Sequence, residues 1–290
     1  MVKAVIFDVD GTLIDSVDLH ARAWQEIFLK YGVHTDCQAV RDQIGKGGDK
    51  LMKVFLSEEQ IARQGKEIEE QRTELFVREY LPRVKPFPAL RALFERLRAD
   101  GIQIALASSA KDKELEIYKE ITGIEPFLAE DTSSDDVSNS KPDPDVFLTA
   151  RKKLGIDPRD VLAIGDTQYD AESAAKAGMR TIGLMCGGGS SSKLEAAGCI
   201  ALYRDPADLL KNYDHSPLAQ GTVKPGMSSR SRPEKINTEE SVSSNNSVYF
   251  LVGAAVGVAV GMLYAPKSGS ETRAFLRRKS EERKGYADEL

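Results

Sequence analysis

The sequence predicts an α/β domain: a parallel sheet covered by helices on both faces and interrupted early by an all-helical insert. Three observations predict it. Short apolar runs recur at 4–7, 102–107, 161–164 and 181–184. Helical patterns separate the later runs. No strand signal occurs from about Ser16 to Val84.

The first run, Ala4 to Phe7, is too short for a helix and reads as a buried strand. In the insert, Leu19, Trp24, Ile27, Phe28 and Tyr31 form a helical stripe that stops at Gly32. Ile61, Ile68, Leu75 and Phe76 mark a longer, charged helix, and Pro82, Pro86 and Pro88 close the segment. After it, Leu90, Leu93, Phe94 and Leu97 predict a helix ending before Gly101. Val146, Phe147, Ala150 and Leu154 predict another, ending at Gly155. Strands joined through helices run parallel, with helices on both faces of the sheet.

The 290 residues are 29% charged and 41% hydrophobic, the balance of a soluble globular protein. A net charge of −5 argues against nucleic acid as a partner, because that binding relies on Lys and Arg neutralising phosphates. Cys37, Cys186 and Cys199 are odd in number and widely spaced, so we read them as reduced thiols of a cytosolic protein. The N-terminal apolar run is too short for a signal peptide, so the first part is expected to fold in the cytoplasm.

The composition changes near Asp214. Residues 214–247 are rich in Ser, Asn, Pro and charge and read as a disordered linker. Residues 248–265 are apolar, and no charge occurs between Glu240 and Lys267. This span is close to the length that crosses a bilayer. Gly253, Gly257 and Gly261 recur every four residues and would let two such helices approach closely, a route to self-association. Residues 266–290 read as a charged, helical tail. A single span would place Lys267, Arg273, Arg277, Arg278 and Lys279 outside, against the usual bias, although Lys224, Arg230, Arg232 and Lys235 stand on the linker side.

Candidate chemistry gathers at the strand ends. The first strand runs into Asp8-Val9-Asp10-Gly11-Thr12, and residues two apart on a strand point the same way. Two close carboxylates repel unless a cation offsets them, and carboxylate oxygens suit magnesium. Ser108 and Ser109 follow the strand at 102–107 and offer hydroxyls to a phosphoryl oxygen. Lys141 opens a helical segment, beside an N-terminus that favours anions. Gly165-Asp166-Thr167 follows the strand at 161–164, and Asp170 comes soon after. Singly each has a bland reading as a turn, a cap or a solvated lysine. Their conjunction in one α/β domain carries the weight.

In these motifs the chain resembles the haloacid dehalogenase-like superfamily. DVDGT resembles the first motif of that family, Ser108 the second, Lys141 the third and GDTQYD the fourth. The resemblance covers about residues 1–213 and implies a Rossmann-like core from 1–15 and 85–213, with 16–84 as a helical cap. The cap's position between the first two motifs is similar to the phosphoglycolate phosphatase and β-phosphoglucomutase group. By that resemblance the chain is a magnesium-dependent phosphatase of a small phosphorylated metabolite. Asp8 is implied as nucleophile and Asp10 as acid and base. Ser108 and Lys141 stabilise the transferring group. The resemblance implies magnesium held by Asp8, Asp166 and the backbone carbonyl of Asp10, with Asp170 acting through water or orienting the lysine. A dehalogenase is not expected, because that chemistry needs neither the second aspartate nor the metal. Thr12, Ser109, His20 and the loop residues Lys46, Gly47 and Lys50 are candidates for substrate contact.

Two other readings stay open at this stage. One is a phosphomutase of the β-phosphoglucomutase kind. The other is a membrane-tethered stress or interaction protein, because VGAAVGVAVGMLYAPKSGSETR resembles the YtxH-like family over about 247–285.

Overall fold

The computed structural model describes residues 1–219. The apolar segment, its glycines, the charged tail and most of the expected linker lie outside the described residues. Among the described residues no helix is long and apolar enough to cross a membrane.

In chain order, β1 (Ala4–Phe7) leads into four helices: α1 (Val17–Lys30), α2 (Cys37–Arg41), α3 (Gly48–Phe55) and α4 (Glu58–Leu75). Then come α5 (Leu90–Ala99), β2 (Gln103–Leu106), α6 (Asp112–Thr122) and β3 (Leu128–Glu130). The remainder is α7 (Asp145–Leu154), β4 (Val161–Gly165), α8 (Gln168–Lys176), β5 (Arg180–Leu184), α9 (Ser191–Ala196), β6 (Ala201–Tyr203) and α10 (Pro206–Lys211).

All strand pairs are parallel, in the order β3-β2-β1-β4-β5-β6. The chain first builds outward from β1 through β2 and β3, then crosses back to place β4 on the other side of β1. The order thus reverses between β1 and β4, and open sheets of this kind bind ligands outside the carboxyl ends of the strands at that point.

Strand alternation divides β1 between two cores. Val5 and Phe7 join Leu93, Phe94 and Leu97 of α5, Leu115 of α6 and Leu209 of α10. Ala4 and Ile6 face the other way, against Val146, Phe147 and Ala150 of α7 and Ala174 of α8. That second face is lined by small side chains, including Ala105, Ala107 and Ala163, which lets α7 and α8 lie close to the sheet. Each large apolar side chain fully buried in these cores stabilises the fold by roughly 1.5–3 kcal/mol.

The helices of residues 17–83 have a core of their own, around Trp24, Phe28, Val40, Leu51, Met52 and Ile68. Ser57 and Gln60 form a capping box at the start of α4. At its end the backbone widens into a π-helical turn, Phe76–Tyr80, before Pro82 stops the run. That turn brings both Phe76 and Tyr80 into buried positions.

Two features differ from the sequence reading. The strand β6 is only three residues long and carries little periodic signal. The packed chain also continues past 213: Tyr213–His215 forms a 3-10 turn, and Ser216 and Leu218 are fully buried. Packed residues therefore extend past 213, the end expected for the sheet domain.

Candidate active site

Asp8 follows directly on β1, and its N–H still pairs with the carbonyl of Ile164 at 2.8 Å. Asp166 follows β4, the neighbouring strand. The two carboxyls therefore stand side by side at the strand-order reversal. The Thr12 hydroxyl sits between them, 3.2 Å from Asp8 Oδ2 and 3.1 Å from Asp166 Oδ1. Asp170 lies one turn into α8. Its Oδ2 accepts from the N–H of Thr167 at 3.0 Å and from the Thr167 hydroxyl at 2.6 Å, in a capping box. That box aims the other oxygen, Oδ1, at Lys141 Nζ, 2.8 Å away.

Lys141 is wholly buried. Its ammonium donates to Asp8 Oδ1 and to the carbonyl of Ala107, the latter at 3.0 Å. Oxygens of Asp8, Asp166 and Asp170 all lie within 4.8 Å of one another. Three carboxylates against this one ammonium leave two negative charges uncompensated in a buried place. Burial, then the charge of Asp170, pushes Asp8 up to about 7, although Lys141 pulls the other way. Asp166 is raised well above its ordinary value by burial and then by Asp170 and Asp8. Burial disfavours the charge of Lys141, but Asp170 and Asp8 outweigh it and hold that ammonium above its ordinary value. The donor set fits magnesium: hard carboxylate oxygens converging on one point, with charge that a divalent cation would offset.

Two glycines make room for Asp166. Gly11 has φ +79°, and a Cβ there would collide with the Asp166 carboxyl. A Cβ on Gly187, in the loop after β5, would collide with the same group.

Asp10 faces the same pocket as Asp8 but does not join the acidic cluster. The strand ends at Phe7, so the expected two-residue alternation does not carry its carboxyl to the same point. Its Oδ1 accepts from the Ser16 hydroxyl at 2.6 Å and contacts His20 Nε2 at 2.9 Å. Burial pushes Asp10 up, but His20, Ser16 and Arg72 together hold it below the ordinary carboxylate value.

The other residues expected from sequence fall in several places. Ser108 is buried and its hydroxyl oxygen accepts from the N–H of Ala110 at 3.0 Å, while Ser109 lines the pocket over Asp8. His20 and Lys46 line the pocket too. Lys46 Nζ donates to Gln43 at 2.6 Å and lies 4.8 Å from the Tyr169 ring centre. Lys50 is held elsewhere. It pairs with Asp143 and donates to the carbonyl of Ser140 at 2.8 Å, while the Ser140 hydroxyl donates to Asp49 at 2.6 Å. Gly47 packs so closely on Ser140 that a Cβ would overlap it. Gly47 and the first turn of α3 therefore fasten the helical insert to the sheet domain. Arg41 adds a second fastening by donating to the carbonyl of Gly187 at 2.8 Å.

Sequence reasoning missed Arg72, Glu114 and Trp24, which also line the pocket. Arg72 lies 5.0 Å from the Trp24 ring centre and 5.7 Å from that of Phe76. Its Nε and Nη1 are buried without a hydrogen-bond partner among the described residues. A signal existed. Arg72 stands four residues after Ile68 and four before Phe76, a cation set in an apolar stripe.

Residues 5–184 match the family model described as haloacid dehalogenase-like hydrolase. The chain belongs to this family. The hydrolase is 27% identical over 216 residues to the phosphorylated carbohydrates phosphatase of Thermotoga maritima, covering 72% of this chain and 96% of that one. It is 29% identical over 190 residues to the phosphoglycolate phosphatase of Pseudomonas putida, covering 64% and 70%. A solved hydrolase from Pseudomonas syringae superposes with a TM-score of 0.66 at 29% identity, covering 73% of this chain and 98% of that one. The relatives' names support a phosphatase, and the first two act on phosphorylated carbohydrates and phosphoglycolate. At the other end, residues 247–290 match the YtxH-like protein model.

The raised carboxyls give a pH prediction. Asp8 binds its proton more tightly folded than unfolded, so its contribution to stability is complete below about pH 4 and is lost as pH rises through about 7. In metal-free hydrolase, the thermal midpoint relative to Asp8→Asn is expected to fall across that window. Added magnesium is expected to flatten the fall. A difference that stays level or rises with pH would count against the buried-cluster account.

Proposed function

We propose that this hydrolase cleaves a small phosphate monoester of the phosphoglycolate or sugar-phosphate kind, with magnesium, by way of a phosphorylated Asp8. One observation carries the reading: a buried carboxylate cluster around Lys141, with a second aspartate held apart from it by His20 and Ser16.

An oxygen of Asp8 attacks the phosphorus as the bond to the leaving oxygen breaks. Asp10 gives its proton to that oxygen. Oδ1 of Asp10 is taken by Ser16 and His20, so Oδ2 is the oxygen left to carry the proton. In the ligand-free chain Asp10 is held in its charged form, and the arrival of an anionic ester beside it raises its proton affinity. Asp10, now a carboxylate, then takes a proton from the water that attacks the phosphoryl-aspartate. Phosphate leaves and Asp8 is regenerated. Lys141 offsets charge on the transferring group, and Ser109 and Thr12 place hydroxyls beside it. Asp8, Asp166 and Asp170 would hold magnesium, which would supply the positive charge that lets an anionic ester approach an anionic nucleophile.

A panel of phosphate monoesters, incubated with the full chain with and without magnesium, tests this reading through release of inorganic phosphate. Steady release that needs magnesium and no bisphosphate activator is expected. Isomerisation of a sugar phosphate that depends on a bisphosphate would overturn it in favour of a mutase. Release undiminished by chelator would remove the metal from the account.

A further inference from the structure

Asp10 stands at the end of a hydrogen-bond chain whose other members come from α1 and α6. Glu114 and Tyr118 are four residues apart on α6, hence on one face of it. The Tyr118 hydroxyl donates its hydrogen to Glu114 Oε1 at 2.5 Å. The same oxygen lies 3.2 Å from His20 Nε2. With its hydrogen committed to Glu114, the phenol can only accept there. On the other side of Nε2 stands Asp10 Oδ1, at 2.9 Å and also an acceptor. Nε2 must therefore carry a hydrogen.

The rest of the ring gives no such direction. His20 Nδ1 is buried with no hydrogen-bond partner among the described residues. The ring lies flat on Phe76, with centres 3.9 Å apart and planes 7° from parallel. A flat stack fixes the plane of an imidazole but not which nitrogen faces Asp10. The contacts at Nε2 decide that. A tyrosine–glutamate pair can be ordinary core packing, but Glu114 is a nearly buried carboxylate that also lines the pocket, a costly place for a group with no task.

We propose that Glu114 and Tyr118 are positioning residues for the phosphatase reaction. Glu114 takes the phenol hydrogen, Tyr118 becomes an acceptor, and His20 thereby presents Nε2–H to Oδ1 of Asp10. The second oxygen of Asp10 is then aimed at the leaving group. The inference rests on the reading of Asp10 as the acid.

Leaving-group dependence tests it. An alkoxide needs a proton as it departs, whereas 4-nitrophenolate does not. The probes are 4-nitrophenyl phosphate and whichever of phosphoglycolate, glucose 6-phosphate and glycerol 3-phosphate the wild-type full chain hydrolyses fastest. For Tyr118→Phe, kcat/KM on the alkyl ester is expected to fall about tenfold, and on the aryl ester less than about twofold. Glu114→Leu, which frees the phenol hydrogen to turn toward His20, is expected to match it. Glu114→Gln, whose amide oxygen still accepts, is expected to keep the wild-type ratio of the two esters. Equal losses on both esters in Tyr118→Phe and Glu114→Leu would mark a merely structural role and overturn the inference. So would an unchanged ratio in both while Asp10→Asn loses the alkyl ester selectively, which leaves the phosphatase reading standing. A wild-type chain that releases no phosphate from any probe would sink that reading and this inference together.

Discussion

Asp8→Asn is expected to lower phosphate release by about four orders of magnitude or more while leaving the fold intact. The amide is nearly the same shape but is no nucleophile toward phosphorus. Its partner does not lose its place: Lys141 keeps the ion pair to Asp170 at 2.8 Å and the bond to the Ala107 carbonyl. The substitution also takes one negative charge out of a crowded cluster. The thermal midpoint at neutral pH should therefore stay level or rise. Phosphate release measured beside a melting curve checks both halves. Residual activity within tenfold of wild type would remove Asp8 from its role. A collapse of the melting transition would show that its carboxylate is needed for folding.

Lys141→Met has the opposite balance. The side chain is wholly buried, so the thioether fills much of the same space, but Asp8 and Asp170 lose the cation that both contact. Removing one partner of a buried pair typically costs 3–5 kcal/mol, because the remaining charge is stranded. Two are stranded here, beside Asp166. The expected result is a loss of about 3–5 kcal/mol in denaturant unfolding without metal, together with loss of phosphate release. Adding Asp8→Asn to this variant should return part of the stability, since one stranded carboxylate is then gone. A Lys141→Met chain as stable as wild type would refute the account of charge in the cluster.

Much of this centre was legible in the sequence because it is built at strand ends. A parallel strand announces itself by a short apolar run, and the residues just after it have one place to go. Asp8, Ser109 and Asp166 were found that way; Ser108 was expected beside them, and its hydroxyl accepts from the N–H of Ala110. Residues that reach the pocket from helices were harder to find. Glu114 and Tyr118 belong to α6, a helix whose charged residues mostly face solvent, and nothing local says which face meets α1. Arg72 was readable in principle, as a cation inside an apolar stripe. The pairing of Lys50 with Asp143 was hidden for a different reason. A Gly-rich loop with lysines can close on substrate or on protein, and the choice depends on where the insert docks. Gly187 was invisible because its need arises from a carboxyl 21 positions earlier in the chain, brought near only by the sheet.

The hydrogen-bonded box of Thr167 and Asp170 has a wider bearing on how such a protein can vary through descent. At Ser57 the start of a helix is a local matter, and a lineage can exchange that cap for another with little outcome elsewhere. At Thr167 the same device also holds the aim of Asp170 toward Lys141. A change at either member is felt twice, once in the beginning of α8 and once in the reacting centre. Inherited drift should therefore spare this pair more than the rest of its helix.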